Sequence, residues 1–279
     1  MRLYISVDME GIAGIVSSSQ LSRGKSDYNQ ARKLMTLEVK AAVEAAKAYG
    51  VEYIVVNDAH ANMTNLLVNE LPDYVEIVYG SPKPISMVSL IDKGFDAAFF
   101  LGYHSRKGVA HSIWDHTMSG VLIQRVIVNG EEVSEFWLNS AVAGYYKVPV
   151  ALVTGDDKLV AHAKSLIPNI EVVITKKSLS RSAALIKHPL VIANTIKEAV
   201  RKALEKVERK EIKPFAPKGP FDISIEFTDS LIVDFIEAIP GIERIDGLTI
   251  RYTSDNIVNA YNLLELMLIV GAGVRRFYS

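Results

Sequence analysis

No cysteine occurs among the 279 residues, which excludes disulfides, thiolate metal ligands and a cysteine nucleophile. Carboxylate and imidazole are left as the strong donors to a metal ion. Neither sign of charge dominates: 31 Lys and Arg stand against 32 Asp and Glu, a formal net charge of -1, so no overall basic field draws in nucleic acid. Phosphate-cradling glycine loops are missing, since neither G-x-x-x-x-G-K-[ST] nor G-x-G-x-x-G occurs; nucleotide and dinucleotide enzymes of those kinds are excluded. Long apolar runs are scarce as well. The most apolar stretch, LLELMLIVGAGV, is interrupted by Glu265 and falls short of the roughly 20 apolar residues a membrane span needs, so no membrane partner is expected. Asp8 and Glu10 occupy what would be the apolar region of a signal peptide, and the expected compartment is the cytoplasm.

What is present is a chain that can bury a sizeable core, 49% hydrophobic over its length. RLYISV predicts a strand at 2–7. A helix from about Asp27 to Tyr49 follows, with Ala31, Leu34, Leu37, Ala41, Ala45 and Ala48 at three- and four-residue steps and Gly50 closing it. A strand at about 53–57, VEIVYG, the helix-like PISMVSLIDKG and the strand AAFFLGY continue the alternation. Repeated β and α elements predict an α/β fold with a largely parallel central sheet flanked by helices. Asn129-Gly130 between two β-favouring runs then predicts a two-residue hairpin ending near Glu135. SAVAGYY reads as a short helix, VPVALVTG as a buried strand, DDKLVAHAKSL as a helix capped by Asp156 or Asp157, and EVVIT as a further strand. HPLVIANTIKEAVRKALEKVERK is a long amphipathic helix. The proline-rich KPFAPKGP after it suggests a boundary, with a catalytic α/β domain over 1–213 and a smaller C-terminal α/β subdomain over 214–279.

The chemistry gathers where apolar runs stop. Asp8 and Glu10 follow RLYISV, His60 follows YIVVNDA, and His104 follows AAFFLGY. Ligands of open α/β sheets sit beyond the carboxyl ends of strands, so these four residues are expected to meet and read as a metal site. Along an extended chain residues 8 and 10 point to one side, and two carboxylates brought together need a cation to compensate them. Gly11 would let the chain turn sharply. Glu135 is the natural fifth ligand, followed by Phe136 and Trp137, which could shield the site from water. His116 and His111 bracket SIWD in a loop and are candidate acids, bases or transition-state stabilisers. Asp58 is a candidate to orient a ligand, whereas His162 in mid-helix and His188 at a helix start receive no catalytic part.

LYISVDMEGIAGI, VNDAHANMTNL, FLGYHSRKGVAHSIWDHTM, VSEFWLNSAVAGYYKVPVALVTGDD and the later SLSRSAA together resemble the D-aminopeptidase family of zinc metallopeptidases. The resemblance runs from Arg2 through the final helix, with S-x-D-x-E-G at Ser6 to Gly11 as its signature. It implies that Asp8, Glu10, His60, His104 and Glu135 hold two zinc ions per subunit, Asp8 bridging them, and that His116 is a catalytic residue. It further implies a cytoplasmic enzyme that cleaves short peptides beginning with a D-amino acid, such as D-Ala-D-Ala, and that assembles into a ring-like homodecamer. Trp114 and Asp115 depart from the family's smaller residues beside His116. Two other classes stand beside this one: a dinuclear metal phosphoesterase, although the first strand ends in D-x-E and no G-N-H segment occurs, and a non-catalytic oligomeric metal-binding protein.

Overall fold

Two sheets share the strands of the computed structural model, which describes residues 1–278. The larger is formed by β1 (Arg2–Val7), β2 (Tyr53–Asp58), β3 (Val75–Val78), β4 (Ala97–Tyr103), β7 (Val150–Asp156), β8 (Glu171–Ser180) and β9 (Ala183–Ile186). The smaller takes β5 (Ile123–Val128), β6 (Glu131–Glu132), β10 (Phe221–Phe227), β11 (Glu243–Arg244) and β12 (Thr249–Ser254). Among the described residues seven α-helices complete the fold: α1 (Ser18–Leu21), α2 (Tyr28–Tyr49), α3 (Glu135–Tyr145), α4 (Asp157–Leu166), α5 (Pro189–Glu208), α6 (Ser230–Ile236) and α7 (Ile257–Tyr278).

The large sheet runs in the order β3-β2-β1-β4-β7-β8-β9, parallel throughout except for β9. Strands β1, β4 and β7 are buried at nearly every position, which is why RLYISV, AAFFLGY and VALVTGD read as continuous apolar runs instead of alternating ones. The chain moves one way from β1 to β3 and the other way from β4 to β8. Between β1 and β4 the order therefore reverses, and a crevice opens at the carboxyl ends of those two strands. Helices α2 and α5 pack on each other beside the sheet. The crossovers through α3 and α4 travel in the opposite direction, which places these helices on the other face. Gly50, in the left-handed region at φ 108°, ends α2 as its sequence position predicts.

The Asn129-Gly130 turn is present, both residues having positive φ (51° and 84°) as a type I′ hairpin requires. Its strand β5 pairs not only with β6 but also with β10, antiparallel. The sheet of the C-terminal segment thus recruits a hairpin from the middle of the chain. Three further expectations are corrected. PISMVSLIDKG forms two 3-10 turns, not a helix, entered at Ile85 and Leu90 with positive φ. Its carbonyls are captured from the strands, Met87 O accepting from Ser6 Oγ at 2.7 Å and Asn57 Nδ2 at 2.6 Å, and Ser89 O from Tyr4 Oη at 2.8 Å. These side chains compete successfully with a helical ladder. The helix expected over SAVAGYY begins earlier, at Glu135, because Ser134 caps it by accepting from Trp137 N at 3.0 Å. The final helix runs 22 residues, long and apolar enough by length and composition to cross a membrane; here one side of it packs on α3 and α6.

Candidate metal centre

Asp8 lies one residue past β1, His60 two past β2, and His104 one past β4, so three adjacent strands deliver their following residues to the switch point. Glu135 arrives from elsewhere, as the first residue of α3. All five donors predicted from the sequence are buried, none more than 6% exposed. His60 Nδ1 stands 3.2 Å from Asp8 Oδ1 and 3.1 Å from Glu10 Oε2. His104 Nε2 stands 3.3 Å from both Asp8 Oδ2 and Glu135 Oε2. Asp8 therefore faces one histidine with each oxygen. His116 joins the cluster, its ring stacked on that of His104 at 4.1 Å and its Nε2 3.6 Å from Glu135 Oε1.

The other ring nitrogen of each histidine meets a backbone carbonyl: His60 Nε2 that of Leu21 at 3.0 Å, His104 Nδ1 that of Ser105 at 2.9 Å, and His116 Nδ1 that of Trp114 at 2.8 Å. A carbonyl only accepts, so in each neutral ring the bonded nitrogen carries the hydrogen and the inward nitrogen presents a lone pair. The inward nitrogens face carboxylates across about 3 Å, close enough for His60 Nδ1 to hydrogen-bond Asp8 Oδ1 and Glu10 Oε2 when protonated. Two of these buried atoms, Asp8 Oδ2 and His104 Nε2, have no hydrogen-bond partner despite their 3.3 Å approach. Such an arrangement is costly unless a proton or a metal cation lies between the donors. Three donor groups each bring their atoms within 4.8 Å: Asp8, Glu10 and His60; Asp8, His104 and Glu135; and Glu10, His104 and His116. Nitrogen and oxygen donors of this kind fit zinc.

The carboxylates and imidazoles of the centre shift one another's ionisation. Burial alone would push His60 and His104 down, but Glu10 and Asp8 outweigh it for the first, and Glu135 and Asp8 for the second, so both are held well above the ordinary imidazole value. Burial likewise opposes ionisation of Asp8 and Glu135. The facing histidines overcome it and hold both carboxyls below the usual range.

The local chain explains why these residues stay in place. Gly11 is needed for space, not for a turn: its backbone crosses β4 so closely that a Cβ would lie 2.1 Å from Tyr103 O. Asp8 and Glu10 converge across a bend past the end of β1, not along an extended strand. Asp58 touches no metal donor. It instead accepts from Asn65 N, Leu66 N and Asn65 Nδ2 at 2.6–2.8 Å, and Asn65 Nδ2 also donates to His60 O, so Asp58 shapes the loop that carries His60. Phe136 and Trp137 do not cover the site; they pack on Phe100 and Phe215 within the core. His111 is bonded to Leu179 O, His162 to Ser134 Oγ, and His188 caps α5. None of these three joins a donor group.

Sequence reasoning missed two supports. Lys176 is buried and donates from Nζ to Glu10 O and Ile15 O, both at 2.6 Å, and nothing in its strand-like surroundings signalled that. Arg181 pairs with Asp115 at 2.8 Å and lies over the Trp114 ring at 4.6 Å. Of the two residues that depart from the family pattern, Trp114 thus lines the cavity beside Arg181, and Asp115 holds that arginine in place.

A doubly wound sheet with acid and histidine donors converging at its switch point, beside a cavity of about 600 Å³, defines a metal-dependent hydrolase. Residues 1–266 match the peptidase M55 model, D-aminopeptidase. This chain belongs to that family. It is 34% identical over 268 residues to a D-aminopeptidase of Bacillus subtilis strain 168, with 96% of each chain covered. It also superposes with a TM-score of 0.92, at 34% identity and 98% coverage of each chain, on the zinc-dependent D-aminopeptidase DppA of Bacillus subtilis, a self-compartmentalizing protease.

Proposed function

We propose that this chain is a zinc-dependent aminopeptidase that hydrolyses short peptides with an N-terminal D-amino acid, of the D-Ala-D-Ala type. The observation that carries the metal reading is the pair of orphaned buried atoms, Asp8 Oδ2 and His104 Nε2, inside a cluster of further carboxylate and imidazole donor atoms. Asp8, Glu10, His60, His104 and Glu135 would hold two zinc ions per chain, Asp8 serving both because each of its oxygens faces a different histidine. Zinc, when bound, supplies the Lewis acidity that makes water a nucleophile at about neutral pH.

The residues of the chain do the remaining work. Leu21, Ser105 and Trp114 fix the imidazoles through their carbonyls. His116 turns Nε2 toward Glu135 and lines the cavity, its side chain 19% exposed where the five donors are nearly sealed. That nitrogen is placed to exchange a proton with the departing amine or to stabilise the oxyanion. A second reading rests on its membership of a donor group with Glu10 and His104, in which His116 is itself a ligand. We further propose a cytoplasmic setting and self-association into a ring-like homodecamer; the self-compartmentalizing character of the Bacillus subtilis neighbour supports the self-association.

Purified protein assayed on D-alanyl-D-alanine, on L-alanyl-L-alanine and on a generic phosphate ester, with and without chelator, tests the function. Release of D-alanine that chelator abolishes is expected, with about two zinc per chain by elemental analysis. Phosphate release without peptide cleavage, or hydrolysis that survives complete zinc removal, refutes the proposal. Replacing His116 by alanine is expected to preserve bound zinc while cutting turnover; zinc loss equal to that of His60→Ala establishes the ligand reading instead.

A further inference from the structure

Helix α7 lends the cavity Glu265 and Leu268. Glu265 is the sole charged residue between Ile257 and Val274, and a carboxyl in such apolar surroundings is unfavourable unless something binds it. Its Oε1 is buried and has no hydrogen-bond partner. Burial, against a hydrogen bond from the Ser86 side chain and with a smaller contribution from Glu135, lifts its pKa to about 7. It is absent from all three metal-donor groups, so it is not a spare ligand to the ions. The one Lys or Arg lining the cavity among the described residues is Arg181, and its guanidinium is committed to Asp115 and the Trp114 ring. A carboxyl acceptor thus faces a substrate cavity with no protein cation assigned to it. Met87, Met118, Val121 and Leu268 line the same cavity, apolar surface suited to a small side chain.

We propose that Glu265 is the receptor for the α-ammonium group of the substrate, holding the amino end of a short peptide while the apolar wall takes its first side chain. This rests on the peptidase reading above. It differs from one in which the metal takes the amine, and it gives a protein-borne reason for cutting from the amino end.

Calorimetry on the zinc-loaded enzyme with D-alanine and with propionate, which lacks the amine, tests it; neither ligand contains a peptide bond, so neither is turned over. Wild type is expected to prefer D-alanine. In Glu265→Gln that preference is expected to fall by about 10- to 100-fold, the weight of a hydrogen bond to a charged group, with propionate affinity and zinc content unchanged. Glu265→Asp should restore part of the preference. In turnover of D-alanyl-D-alanine, Glu265→Gln should raise KM more than it lowers kcat. An undiminished preference for D-alanine in Glu265→Gln overturns the proposal. Should the glutamine variant fail to fold, Glu265→Met, which suits the apolar helix, carries the same expectation. Absence of any D-peptide cleavage by wild type would defeat the peptidase reading alone, since the comparison of D-alanine with propionate reports on Glu265 separately.

Discussion

Replacing Gly11 by alanine isolates the close backbone crossing on which the centre depends. The added Cβ would stand 2.1 Å from Tyr103 O, 2.6 Å from Gly102 C and 2.7 Å from Gly102 O. All three are backbone atoms of or beside β4, so no rotamer change relieves the clash and the loop itself must lift. Lifting it strains or breaks the 2.7 Å bond from Gly11 N to Gly102 O and the 2.5 Å bond from Thr175 Oγ1 to Gly11 O. Overpacking costs about 1–3 kcal/mol and a lost hydrogen bond about 1 kcal/mol, so a destabilisation of about 2–4 kcal/mol is expected. At roughly 2–4 °C per kcal/mol for a chain of this size class, Tm should fall by about 4–16 °C. Asp8 and Glu10 ride on the same loop, and a displacement of about 1 Å at a reacting centre can cost about 100-fold in rate. Thermal denaturation, zinc content and turnover of a D-alanyl peptide measure the three effects. Gly247→Ala is the control, because a Cβ there meets nothing within 4 Å, and its stability should change by no more than about 0.5 kcal/mol. A Gly11→Ala protein with wild-type Tm, full zinc and full activity would refute the argument.

Alanine at His60 or His104 should lower bound zinc and activity together, read by elemental analysis and peptide hydrolysis; retention of two zinc ions in either variant would remove that histidine from the ligand set. Asp58→Ala should loosen the loop that carries His60 and weaken zinc affinity by about 10- to 100-fold in a competition titration, as losses of supporting hydrogen bonds to metal sites do. Zinc removal should lower Tm even with the sequence intact: a ligand present at about 1,000 times its Kd contributes about 4 kcal/mol to stability, and equal melting of the chelated and zinc-loaded forms would count against a buried site. Gly273→Ala in α7, where a Cβ meets nothing within 4 Å, should stabilise the protein by about 0.5–1 kcal/mol in chemical denaturation.

The strands of the large sheet were legible because their burial on both faces writes itself as uninterrupted apolar runs, and the acids and histidines were legible because they stand where those runs end. The Asn129-Gly130 hairpin was legible for a local reason, since few residue pairs tolerate two positive φ values in succession. PISMVSLIDKG misled because its apolar spacing suits a helix, while the groups that hold it irregular, Tyr4, Ser6 and Asn57, lie on strands distant in sequence. Glu265 shows the limit most clearly. In the sequence it is only a charge interrupting an apolar stretch; its place in the cavity wall depends on α7 folding back against α3.

By itself the sequence determined most of the element types, the α/β class and the inventory of candidate metal donors, because periodicity, turn chemistry and the lack of thiols act over short distances along the chain. Only the tertiary structure decided that Asp8 faces one histidine with each oxygen, that Gly11 is demanded by a neighbouring backbone, and that the strands of the C-terminal sheet include a mid-chain hairpin. Each of those depends on which distant segments are brought into contact, and strand order and backbone approach are set by packing across the whole chain.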